Sequence, residues 1–257
     1  DLVRSRGLGD VYKRQILFYN RHLFYVHRRD FWLFIGSGMI GMTALSVFYN
    51  ISVTKGSLAL SAVLLAMSPV FVLFLAAIFF HEPITRHKLT CVTLALIGCV
   101  LVSGVLESNG LSWSITGILC GILASFFYAV YGIISKKVTQ KGYHFLTITF
   151  YGTLFSGMTM LPFSNIHSLS SMIVSGQRTT FFILIIHALV SSVLPYALYS
   201  LSMRYMEAGK ASILASSEPA AAMLFGAVLY AETPGILSIC GLCFTITAVI
   251  LLNYERN

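Results

Sequence analysis

Long apolar runs separated by short polar ones set the rhythm of this chain. A helix that crosses a bilayer needs about 20 predominantly apolar residues. Eight segments meet that length: 31–53, 58–80, 89–106, 113–135, 144–163, 180–203, 211–230 and 235–253. The segment 58–80 contains no charged residue. The connections are short, except for the serine-rich stretch 164–179, which is expected to be an exposed loop. Ile16–Val26 reads as the end of a further spanning helix whose start is missing. Residues 1–15 are polar, basic and glycine-containing, without an apolar period. They resemble translated linker sequence and are expected to form a non-native or disordered tail. A signal peptide does not fit, because Asn20, Arg21 and His22 cut the apolar stretch that follows.

Two of the eight segments carry the same pattern. Ser68 and Pro69 stand inside the second segment and Glu82 follows its far end; Glu218 and Pro219 stand inside the seventh and Glu232 follows its far end. Proline and glutamate are 13 residues apart in both, and the two copies are offset by 150. At the same offset Tyr49 matches Tyr199, Ser52 matches Ser202, Ala77 matches Ala227 and Leu101 matches Leu251, with no gap. The chain therefore reads as a duplicated unit, with one copy over 16–106 and the other over 113–253.

Composition changes the picture only by fixing the solvent. The 257 residues are 57% hydrophobic and 10% charged, with a mean hydropathy of +0.83. Soluble domains carry about a quarter charged residues, so this is an all-α polytopic membrane protein. The net charge of +8 is no nucleic-acid signal, since the basic residues sit in short loops between apolar runs. Cys91, Cys99, Cys120, Cys240 and Cys243 all lie within apolar runs and suggest no disulfide framework. HExxH, P-loop and GxSxG strings are absent, and Asp occurs only at positions 1, 10 and 30. An ATP-driven pump or a membrane protease is thereby disfavoured, and neither cofactor nor catalytic residue is expected.

Charge placement supplies orientation, because Lys and Arg accumulate in cytoplasmic loops. One alternate set of connections carries Arg21, Arg28, Arg29, Arg86, Lys88, Lys136, Lys137, Lys141, Arg204, Lys210 and Arg256; the other carries Lys55 and Arg178. Eleven against two places the first set, and the C-terminus, in the cytoplasm. The segment 58–80 then runs inward and 211–230 outward. Five helices separate equivalent positions, and an odd number inverts the second copy. Inverted repeats about an in-plane pseudo-two-fold axis are typical of secondary transporters.

With the duplication, the orientation and the proline–glutamate pairs established, the chain resembles the drug/metabolite transporter superfamily, specifically its EamA family. The resemblance rests on Ser68-Pro69 through Ser103 and on Glu218-Pro219 through Asn253, and it covers residues 16–253. It implies a ten-helix fold of two inverted five-helix repeats, here about eight complete helices and a fragment, without the first helix and most of the second. It also implies a multi-pass protein of the plasma membrane that exports a small metabolite, an amino acid or similar. It does not select the substrate.

Glu218 is the first candidate. It lies eight residues beyond Lys210, about 12 Å into the helix at 1.5 Å per residue. An ionisable group at that depth costs several kcal/mol unless paired, hydrated or neutral, and is a functional candidate. The alternative is a protonated carboxyl bonded to a neighbouring helix. Pro219 removes one backbone hydrogen bond and frees a carbonyl. Ser68 and Pro69 hold the equivalent places in the first copy. Tyr49, Asn50 and Tyr199 complete the proposed substrate-binding set. For Tyr128, Tyr131 and Tyr196 interface anchoring is the plainer reading. Glu82 and Glu232 are expected to cap the N-terminus of the next helix, and His187 to bond a neighbour rather than relay protons. Cys240 and Cys243 form a CxxC string, but inside an apolar run with no second pair, so buried small residues are the expectation. Gly117 and Gly121 form a GxxxG, which points to close helix packing. Its partner is a helix of the same chain or of a second copy, which leaves a homodimer open.

Three function classes compete. The leading one is a secondary transporter of a small molecule by alternating access, driven by protons through Glu218 or by the substrate gradient alone. A membrane enzyme acting on lipid lacks a catalytic constellation. A non-transporting scaffold leaves the inverted duplication and the paired prolines unexplained.

Overall fold

The computed structural model describes residues 25–106, 114–163, 178–230 and 234–254. Within them the chain is a bundle of eight helical rods. We label these α1 (Phe31–Lys55), α2 (Leu58–Phe80), α3 (Arg86–Val102), α4 (Ile115–Gln140) and α5 (Phe145–Met160), followed by α6, α7 and α8. α6 runs through Arg178–Ala188, Leu189–Val193 and Leu194–Tyr205; α7 through Ala208–Ala215 and Glu218–Tyr230; α8 is Ile236–Asn253. No strand occurs among the described residues. In hydrocarbon every backbone group must be satisfied within the chain, and helices do this segment by segment. The expectations for 1–15, for most of Ile16–Val26, for the loop 164–179 up to 177, and for Glu232 lie outside the described residues.

The helix bounds repeat with the sequence offset. Ala44–Lys55 matches Leu194–Tyr205, and each bound differs by 150. Leu58–Leu65 matches Ala208–Ala215, and Ser68–Phe80 matches Glu218–Tyr230, again at 150. The π-helical stretches Gly36–Thr43 and Leu189–Val193 end at equivalent positions. α2 and α7 are each broken at mid-length, so their prolines are not inside a continuous helix as the apolar pattern suggests. Ala66 and Met67 turn the chain in α2, and Ser216 and Ser217 do so in α7. Pro69 and Pro219 then sit in the first turn of a new half-helix. That placement is tolerated because a first-turn residue needs no N–H partner.

Caps explain most other ends. The Ser57 hydroxyl accepts from Leu60 N at 3.1 Å and the Thr85 hydroxyl from Lys88 N at 3.2 Å, opening α2 and α3. α2 stops at His81, whose φ of +56° is the left-handed conformation that ends helices. α4 runs five residues past the apolar segment to Gln140; lysines at a helix C-terminus suit the dipole and reach out of the apolar zone on long stems.

Packing relies on small residues. α3 and α8 cross where Gly98 meets Gly241: a Cβ on Gly98 would lie 2.8 Å from the Gly241 carbonyl oxygen, and one on Gly241 would lie 2.7 Å from that of Gly98. Nearer the α3 start, His87 Nε2 is 2.8 Å from the Leu251 carbonyl. Residue numbers therefore rise in one helix as they fall in the other, and these two equivalent helices run antiparallel. Gly117 and Gly121 of the GxxxG take up the end of α1 and the first half of α2 in the same chain; Gly121 meets Leu64 and Ser52. The outer faces stay apolar, with Phe74, Ile78, Phe79, Val228 and Leu229 all more than half exposed. Helices apolar all round suit a bilayer. Cys240 and Cys243 are exposed on α8 rather than buried, because its inward stripe is Ser238, Gly241, Thr245, Ala248 and Leu252.

Candidate functional site

One large cavity, about 1370 Å³, lies between the two broken helices. Its middle is lined by Leu65, Ala66 and Ser68 of α2 and by Ala215, Ser216, Glu218 and Pro219 of α7. These are the two breaks, so the prolines decide where polar groups face the cavity. Pro69 and Pro219 lack the N–H that would bond the carbonyls of Leu65 and Ala215, and both of those residues line the cavity. Aromatic walls come from Tyr49, Tyr128, Tyr196 and Tyr199. The Tyr128 and Tyr199 rings stack with centroids 5.4 Å apart, and Tyr196 meets Tyr131 edge-on at 5.1 Å.

Glu218 is the first residue of the second half of α7 and is exposed to this space. Tyr49, Tyr128, Tyr196 and Cys99 all lie within electrostatic reach of its carboxylate. Of the residues singled out from sequence, Glu218, Pro219, Ser68, Tyr49 and Tyr199 line the cavity. Asn50 and Pro69 do not. Asn50 is exposed, and its amide donates to the Ser46 carbonyl one turn back at 2.9 Å. Pro69 is fully buried in the helix contact. Tyr128 and Tyr196 are cavity residues rather than interface anchors. Tyr131 is a core residue, 0% exposed, with its hydroxyl 3.0 Å from that of Ser200. No period marks these rings in the sequence, since they come from α4 and α6, whose contact only the fold creates. His187 is exposed, with Nδ1 3.5 Å from the Ser191 hydroxyl.

One end of the cavity is marked by the ends of three helices. Leu58 and Ala59 at the start of α2, Val102 and Ser103 at the end of α3, and Pro234 and Gly235 before α8 line it there. The opposite end of the bundle collects basic residues, and contacts between the two copies bridge it. There the Glu82 carboxylate accepts from Ala208 N at 3.0 Å and from Gly209 N at 3.3 Å. Glu82 thus caps α7, in the other copy, and not the next helix α3. The left-handed turn at His81 aims it there, and Thr85 already caps α3. Lys88, only 1% exposed, pairs with Glu207 at 2.5 Å and donates to the Pro83 carbonyl at 3.0 Å. Lys136 donates to the Met203 carbonyl in the last turn of α6 at 2.9 Å and to the Met206 carbonyl just past its end at 2.7 Å. At the rim Lys141 pairs with Asp30, and the Tyr143 hydroxyl donates to the same carboxylate at 2.8 Å. The hydrogen bond from Lys141, then that from Tyr143, holds the Asp30 carboxyl below its ordinary value.

Known proteins place this architecture. An uncharacterized transporter from Archaeoglobus fulgidus is 24% identical over 221 residues, covering 85% of this chain and 76% of its own length. The uncharacterized transporter YdfC of Bacillus subtilis is 22% identical over 225 residues, covering 84% of this chain and 71% of its own. A protein of solved crystal structure superimposes with a TM-score of 0.73 over 96% of this chain and 85% of its own, at 12% identity. The model of the EamA-like transporter family matches residues 16–104 and 115–254. That match spans both copies of the broken-helix pattern and every described residue that lines the cavity or the bridged end, and the chain belongs to the EamA-like transporter family.

Proposed function

We propose that the protein is a secondary transporter of a small organic solute working by alternating access, and that it exports that solute across the plasma membrane. The observation that carries this reading is a cavity that reaches Glu218 between the two copies, which are bridged to each other at the basic end of the bundle. The positive-inside rule assigns the bridged, basic end and the C-terminus to the cytoplasm, and on this reading the state is the outward-facing one. The copies over 16–106 and 113–253 are the bodies that rock against each other. Opening inward requires Ala208 and Gly209 to leave Glu82, and Glu207 to leave Lys88. Glu218 sits at the pivot, where water reaches it from alternate sides. It therefore suits either direct solute contact or proton coupling.

Reconstituted vesicles preloaded with one member of a panel of amino acids, sugars and amines test the reading by counterflow of the labelled compound. Saturable counterflow of at least one panel member is expected. Absence of counterflow across the whole panel, with the protein folded and in known orientation, would sink it.

A further inference from the structure

The cavity has a chemical sign. Where α2 breaks, Pro69 has no N–H and the Val70 N–H is already committed to the Met67 carbonyl at 3.0 Å. Where α7 breaks, Pro219 has no N–H and the Ala221 N–H is committed to the Ser217 carbonyl at 3.0 Å. At each break, then, the proline and one bonded N–H take two donors out of play. The breaks also offer acceptors, the carbonyls of Leu65 and Ala215, each without its helical donor. The one carboxylate among the described lining residues, Glu218, stands between them, and no Lys, Arg or His is among those residues. The remaining wall is tyrosine rings, whose faces attract cations within about 6 Å. A bare metal ion needs a tight oxygen cage of about six to eight ligands, and about 1370 Å³ is far too roomy for that.

We infer that the solute is an organic cation, a small amine or quaternary ammonium compound with an apolar or aromatic body. Its charge rests between Glu218 and the carbonyls of Leu65 and Ala215, and its body lies against Tyr49, Tyr128 and Tyr196. This inference rests on the transporter reading and adds the substrate class to it. Serine hydroxyls at Ser68, Ser202 and Ser216 line the same space and accommodate an N–H donor where the cation has one.

The test uses the full chain, purified and reconstituted, with four benzyl probes: benzyltrimethylammonium, its neutral isostere neopentylbenzene, the zwitterion phenylalanine and the anion phenylacetate. Calorimetric titration measures binding and vesicle uptake measures transport. Benzyltrimethylammonium should bind, with the neutral and anionic probes at least about thirtyfold weaker, the factor expected when a buried charge loses its partner. Glu218→Gln should lose a similar factor for the cation, and Glu218→Asp should keep most of the binding. Tyr196→Leu should weaken cation binding severalfold, whereas Tyr196→Phe, which keeps the ring, should not. Phenylalanine or phenylacetate binding more tightly than the cation would overturn the substrate class while leaving a transporter. Binding of the cation without uptake would keep the class and refute transport. No binding by any probe, or equal cation binding in Glu218→Gln and the parent chain, would overturn the inference.

Discussion

Glu82→Ala separates a gate from a plain helix cap. The Glu82 carboxylate holds two N–H groups at the start of α7, and Ala208 is 0% exposed. Removing the acceptor leaves those donors unsatisfied, at about 1–3 kcal/mol. Glu82→Gln keeps an acceptor and loses only the charge at the helix N-terminus, about 0.3–1 kcal/mol. If α7 swings away from Glu82 when the bridged end opens, this energy exists in one state alone. The equilibrium then moves towards the inward-open state by about fivefold or more for Ala, and by about two- to fivefold for Gln, at 1.4 kcal/mol per factor of ten. The assay is alkylation of a single cysteine at Ser202, a cavity position near the bridged end, in a background lacking the five native cysteines. A membrane-impermeant maleimide is applied to right-side-out and inside-out vesicles. Labelling from the basic side should rise by the stated factors and labelling from the other side should fall. A lowered melting temperature with an unchanged ratio of the two rates would show that Glu82 stabilises both states alike, and would refute the gate.

Three further outcomes follow from named contacts. Gly98→Ala puts a Cβ 2.3 Å from the Thr245 hydroxyl and 2.8 Å from the Gly241 carbonyl; it should cost about 1–3 kcal/mol, measured as detergent melting, and Thr245→Ala should restore only part because the backbone clash persists. The Lys88–Glu207 pair is asymmetric, with side chains 1% and 42% exposed. Glu207→Ala removes the counter-charge from a buried ammonium that keeps only the Pro83 carbonyl and should destabilise by up to about 3–5 kcal/mol, whereas Lys88→Met leaves a partly hydrated carboxylate and should cost much less; equal losses would contradict this burial. Asp30 has a depressed pKa in the folded chain, so its contribution is present above the ordinary value of 3.8 and disappears as pH falls below it. The melting-temperature gap between the parent chain and Asp30→Asn should close in that acid range, and a gap independent of pH would argue against the Lys141 contact.

Much of the architecture was legible before any coordinate. Periodicity and hydropathy placed the eight rods, because a bilayer admits few backbone solutions and marks them by length. The offset of 150 anticipated that the helix bounds would repeat, since equal sequences under equal constraints break and cap at equal places. Glu218 stood out in the sequence as a charge deep in an apolar run, and the structure places it on the cavity. Other features depended on contacts between segments far apart in sequence. Nothing local shows that Glu82 caps Ala208 rather than its neighbour; that requires the turn at His81 and the approach of α7. Nothing local separates Tyr128 and Tyr196, which face the cavity, from Tyr131, which is buried, because all three are tyrosines on apolar helices. Nor could the GxxxG of Gly117 and Gly121 declare its partner, which the fold supplies from α1 and α2 of the same chain. The sequence by itself determined which segments form apolar helices, six of them long and apolar enough to cross a membrane among the described residues, and that two copies repeat at an offset of 150. Tertiary packing decided which polar groups converge on the cavity and which end the two copies bridge, because those depend on distances between helices that no local pattern encodes.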